Sequence, residues 1–182
     1  LVSPNTLTYP DPTPSPKTNP DPNPKTPAPT PTLPLARSTW LEIATSGADQ
    51  LRQRVAWSLM QIIVIGEDGV GGSTISEPYL TYYDILVRHA LGDFHSLLRE
   101  VAFSPVMAKY LTYLGNQGYV AAGTYPDENF AREIMQLFSI GLWMLNMDGT
   151  QQQDGAGQPI PTYDNDDIMD FSRAWTAFDL QA

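Results

Sequence analysis

The chain has 182 residues, a formal net charge of −10 and no cysteine, which excludes a disulfide framework and thiolate chemistry. Eight Lys and Arg face eighteen Asp and Glu across residues 37–182, so no basic stripe exists for phosphates and nucleic acid is not an expected partner. The longest apolar run, Ile62-Ile63-Val64-Ile65, falls far short of the roughly 20 residues that span a bilayer.

Residues 1–36 hold twelve of the seventeen prolines and few large apolar side chains, so they cannot offset ordering entropy with a core of their own. Proline at nearly every second position leaves polyproline II as the regular option and predicts an extended arm or linker. Thr13, Ser15, Thr18, Thr26 and Thr30 lie in this proline-rich setting, as O-glycosylation of a secreted protein would favour. Residues 37–182 are the expected folding unit, an acidic helical domain. Leu1 in place of Met, and a C-terminus inside a helical pattern, read as processing or truncation points.

From Ser38 onward the apolar spacing becomes helical. A short helix over 39–45 ends at Gly47, and a longer one over 48–65 carries the stripe Leu51, Val55, Leu59, Ile62 and Ile63. Residues 66–73 read as a glycine-rich loop without the lysine of a phosphate-binding loop. A helix opens at Pro78 and runs to Leu91, where Gly92 closes it. Asp93 caps the next, with Phe94, Leu97, Leu98 and Val101 apolar; Ser104-Pro105 starts another over 106–114. A glycine-bearing connector over 115–124 precedes a helix over 127–141. The stretch to Thr162 is irregular, long enough to be functional or mobile, and Asp164 caps a final helix. The expectation is an all-α fold, an irregular bundle of six or seven helices behind a polyproline-type arm.

The helix over 127–141 carries most information. Phe130, Ile134, Leu137, Phe138 and Gly141 form its core face, while Glu128 and Arg132, and Asn129 and Glu133, are i, i+4 pairs. Glu128, Glu133 and Arg132 are thus candidates for a general acid, a general base and a guanidinium clamp. The same residues can instead fix the helix start, since acidic side chains favour its positive end and Arg132 can tie it to a neighbour.

Asp127-Glu128-Asn129-Phe130-Ala131-Arg132-Glu133-Ile134, with Ile140-Gly141 after it, resembles the Asn-Glu-Asn-Tyr-Ala-Arg-Glu-Leu signature of the domain-of-unknown-function family number eighteen hundred, mostly secreted bacterial and algal proteins. Residues 51–62, the stretch from Tyr82-Tyr83-Asp84 to Phe94, Pro105 to Leu111, and Arg173-Ala174-Trp175-Thr176-Ala177-Phe178 are similar to further blocks of that family. The resemblance spans roughly residues 51–178. It implies a helical, exported protein, identifies the chain as a piece of a longer domain, and supplies no catalytic residue. Two departures from the pattern matter: Phe138 stands where the family has histidine, and Ala177-Phe178 where it has Gly-Trp.

Asp164, Asp166 and Asp167 offer the hard oxygen ligands that suit Ca²⁺, the one cofactor considered, but their spacing does not fit an EF-hand and an N-cap explains them more simply. His89 and His95 do not share a helix face, so a zinc pair is not expected. Tyr79, Tyr82, Tyr83, Tyr110 and Tyr113 form a dense cluster that would suit a protein or glycan interface.

The expected function is an extracellular or cell-surface structural or assembly subunit, joined to copies of itself or to other extracellular proteins through the proline-rich arm and the tyrosine-rich helices, glycosylated and able to form filaments. Catalysis is the second expectation, a secreted enzyme on glycans or other polymers using Glu128, Arg132 and Glu133. A carbohydrate-binding module without catalysis is the third.

Overall fold

The computed structural model describes residues 33–70 and 76–179, and the side chains of residues 37–66, 69–70 and 78–179. The glycosylation candidates Thr13, Ser15, Thr18, Thr26 and Thr30 lie outside the described residues, as do residues 1–32 of the proline-rich arm; its residues 33–36 are helical and open α1, since proline is tolerated in a first helical turn. Among the described residues the chain forms nine helical segments and no continuous strand, so the all-α expectation holds. They are α1 (Leu33–Ser46), α2 (Gln50–Ile62), α3 (Glu67–Val70), α4 (Ser76–His89), α5 (Phe94–Ala102), α6 (Pro105–Tyr110), α7 (Tyr119–Ala122), α8 (Asn129–Gln136) and α9 (Asn165–Ser172). The count exceeds six or seven because α3 and α7 are single turns inside segments read as loops.

The core lies where α2, α4, α5 and α6 meet. Its face on α2 differs from the expected stripe. Of that stripe Ile63 is buried and Leu59 packs against the core, while Leu51 and Ile62 are exposed and Gln53, Ala56 and Met60 are buried instead. Arg52 donates to the carbonyls of Val87 and Arg88, satisfying the free C-terminal end of α4 with a cation. On the far side Glu100 of α5 binds both Arg88 and His89 of α4. Burial works against the Glu100 charge, but the bonds from His89 and Arg88 outweigh it and hold its pKa below the ordinary range. Asp93 caps α5 by accepting from the Ser96 amide at 2.7 Å.

The tyrosines expected to form an interface are largely core residues. Tyr82, Tyr83 and Tyr113 are buried. Tyr82 donates to the Ile63 carbonyl at 2.8 Å and Tyr113 to the Ala102 carbonyl at 2.7 Å. A phenol serves there because its ring fills a core while its hydroxyl satisfies a helix-end carbonyl. Tyr110 is half-buried and lies over Gly66 and over Gly69 of α3; a Cβ at Gly69 would stand 2.7 Å from Tyr110 Cδ2. Close packing therefore accounts for glycine at 69.

The irregular stretch after α8 is ordered. Three short extended runs, 142–146, 150–154 and 158–162, close on one another through isolated antiparallel bridges, Trp143 to Pro161, Leu145 to Gln151 and Gln153 to Pro159. The Met144 amide donates to Ile160, the Ile160 amide to Gln152 and the Gln152 amide to Met144, at 2.8–3.0 Å. This cycle repeats every eight residues, and Gly141, Gly149 and Gly157 each mark a repeat with φ between 74° and 84°, a region open to glycine at little cost. Every run pairs with both others, so the junction needs no fourth segment to complete it. The eight-residue glycine spacing is the sequence signal for this cycle.

Candidate functional site

The helix that carries the signature is shorter than its sequence pattern. α8 spans Asn129–Gln136, and Leu137 is its C-cap. Gly141, at φ 74°, turns the chain into the β junction. Phe130 and Phe138 are buried and Ile134 half-buried, but Leu137 is 55% exposed and leaves the expected core face.

The Glu128–Arg132 pair forms. Asn129 and Glu133 do not bond each other; instead the Asn129 amide donates to Asp127 Oδ1 at 2.9 Å. Asn116, which sequence reasoning passed over, holds the segment before the helix: its Nδ2 donates to the Asp127 carbonyl and its Oδ1 accepts from the Asp127 amide. Its backbone carbonyl also accepts from the Ala177 amide. No local pattern marks Asn116, since both partners come from distant sequence.

An open cavity of about 550 Å³ lies at this helix start, lined by Thr112, Tyr125, Asp127, Glu128, Asn129 and Arg132, with Pro126 and Met169. Thr112 takes a left-handed backbone conformation, φ 64°, unusual for a β-branched residue. Glu133 is absent from the cavity wall; its Oε2 is buried with no hydrogen-bond partner among the described residues. The proposed acid, base and clamp therefore do not converge: Glu128 and Arg132 share the cavity and neutralise each other, and Glu133 lies elsewhere. A bidentate clamp needs a guanidinium free to turn toward its ligand.

Beneath the cavity an aromatic cluster joins the signature to the end of the chain. Tyr113 meets Phe130 at a 4.5 Å centroid distance, and Phe130 meets Trp175 edge-on at 4.6 Å. Phe171 and Phe178 complete it around Trp175. The Gly115 amide donates to the Phe178 carbonyl at 2.7 Å. The segment from Arg173 to Phe178 is thus tied to the connector at Gly115 and Asn116 by backbone bonds and to α8 by the packing of Trp175 on Phe130.

The acidic residues at the start of α9 make a cap. Asp164 accepts from the amides of Asp166 and Asp167, and Asp167 returns a bond to the Asp164 amide. Among the described residues no group of three or more His, Cys, Asp or Glu is placed to hold a metal ion. No described helix is long and apolar enough to cross a membrane. Phe138, at the position where the signature resemblance has histidine, is buried in the core.

A family model described as a protein of unknown function, DUF1800, matches residues 18–182. No curated protein and no solved structure matches the chain.

Proposed function

The chain belongs to the DUF1800 family, and from that premise we propose that it is an extracellular structural or assembly subunit that acts through protein–protein contact. The observation that carries this reading is the pairing of Glu128 with Arg132, which joins the signature charges to each other and to the helix start while large apolar side chains stand exposed nearby. Leu137, Ile140, Leu142, Leu145 and Met147 offer contact area that the buried tyrosines do not. The proline-rich arm supplies reach, with its Thr and Ser residues as glycan acceptors, and head-to-tail contacts between copies would build filaments.

Sedimentation velocity of the full chain across a wide concentration range tests this. Species heavier than the monomer, unchanged by Glu128→Gln, are expected. A monomer at every concentration, combined with polysaccharide cleavage that Glu128→Gln abolishes, overturns the reading.

The second reading, an enzyme on glycans or other polymers, is favoured by the cavity that Glu128 and Arg132 line with Tyr125. It requires substrate to displace Arg132 from Glu128. Loss of activity in Arg132→Lys with unchanged stability would support it.

A further inference from the structure

Seven large apolar residues, Leu137, Ile140, Leu142, Trp143, Met144, Leu145 and Met147, are exposed within eleven consecutive positions, Met147 completely. Together they expose on the order of several hundred Å² of apolar surface, more than scattered single residues do. Trp143 and Leu145 stand at alternate positions of the first extended run, a spacing that directs them to one side, and Met147 follows in the turn. The closed cycle of backbone bonds among Met144, Gln152 and Ile160 holds that run in place, so little ordering entropy opposes binding.

Charge selects the occupant. From Glu133 to Ser172 the sequence has seven carboxylates and no Lys, Arg or His. Asp148, Asp154, Asp164, Asp166, Asp167 and Asp170 are all exposed. The cations at either boundary are already paired, Arg132 with Glu128 and Arg173 with Asp170. Asp148 uses Oδ1 to accept from the Thr150 amide and hydroxyl, bonds that favour its ionised form. The acidic surround favours a cationic occupant of this apolar platform over anionic lipid and over a second copy with net charge −10.

We infer that the apolar face of the 142–162 junction docks a cationic amphipathic segment of a partner protein, its apolar side against Trp143, Leu145 and Met147 and its Lys or Arg side chains toward the surrounding aspartates. The inference deepens the protein-contact reading and rests on it. Methionine suits such a surface because its unbranched, polarizable chain repacks against different apolar partners.

The full chain is titrated with a synthetic Leu/Lys amphipathic peptide and with its Leu/Glu counterpart, by calorimetry at low and moderate salt. The Leu/Lys peptide is expected to bind at least tenfold more tightly, with affinity falling as salt rises. Leu145→Ser with Met147→Ser is expected to weaken it about tenfold. Asp148→Asn, which keeps the Oδ1 acceptor, is expected to weaken it severalfold at low salt only. Circular dichroism and a thermal melt confirm that the variants fold. Binding unchanged in the Leu145→Ser, Met147→Ser variant overturns the proposal, because the peptide then answers only the overall negative charge. Self-association lost in that same variant also overturns it, assigning the face to a second copy while the assembly reading stands. Failure of both peptide binding and self-association, together with Glu128-dependent polysaccharide cleavage, removes both.

Discussion

The carboxamide of Asn116 holds the backbone of Asp127 from both sides, donating to its carbonyl at 3.1 Å and accepting from its amide at 3.2 Å. The pair joins the connector after α6 to the first residue of the signature, and the Asn116 carbonyl extends the tie to Ala177. The start of α8 is thereby positioned by a residue outside the signature itself.

Asn116→Ala removes both side-chain bonds while leaving an exposed backbone that water can reach. A net loss of about 1 to 2 kcal/mol is expected, read as a lower midpoint in urea with an unchanged slope. Asn116→Asp keeps the acceptor but loses the donor and is expected to fall between the two.

Ala177 stands at φ 65°, a conformation that disfavours a Cβ by about 1 to 2 kcal/mol. The resembling family pattern has glycine there, and the backbone explains that choice. Ala177→Gly is expected to raise stability by up to about 1 kcal/mol, the strain relief being reduced by the extra entropy of an unfolded glycine. Thermal melts of the two proteins side by side decide it.

Gly69 lies under the Tyr110 ring, where a Cβ would come within 2.7 Å of Cδ2 and 2.9 Å of Cε2. Gly69→Ala is expected to cost about 1 to 3 kcal/mol through overpacking. Adding Tyr110→Ala should recover part of that loss, and a double-mutant cycle measures the coupling. Additive effects would place the ring elsewhere.

Alkaline stability follows from Tyr82 and Tyr113, both raised above the ordinary tyrosine range, chiefly by burial. Unfolded tyrosine loses its proton near pH 10 while these two keep theirs in the folded chain, so the unfolded state binds fewer protons and stability falls as pH rises from there. Denaturation curves above pH 10 should show this decline. Tyr113→Phe should lessen its steepness while costing about 1 kcal/mol at neutral pH through the lost bond to Ala102.

Local chemistry made much of the fold legible. Asp93 and Asp164 cap the helices their positions suggested, because a capping carboxylate needs only amides two or three residues away. The i, i+4 pair of Glu128 and Arg132 was readable for the same reason. The end of α8 was not, since apolar spacing continues through Leu137 and Phe138 while the backbone stops at Gln136. The β junction is not legible in local pattern because its bonds link residues one or two repeats apart, and only the glycines eight apart mark it.

What the sequence by itself determined is the helical class, the acidic charge, the family and those caps and pairs whose partners lie within one helical turn. Only tertiary structure decided that Tyr82 and Tyr113 are core residues, that Glu133 points away from the cavity Glu128 lines, and that an ordered junction displays Leu145 and Met147. A side chain's spacing restricts which neighbours it can meet along its own element; which face becomes core depends on elements distant in sequence that pack against it.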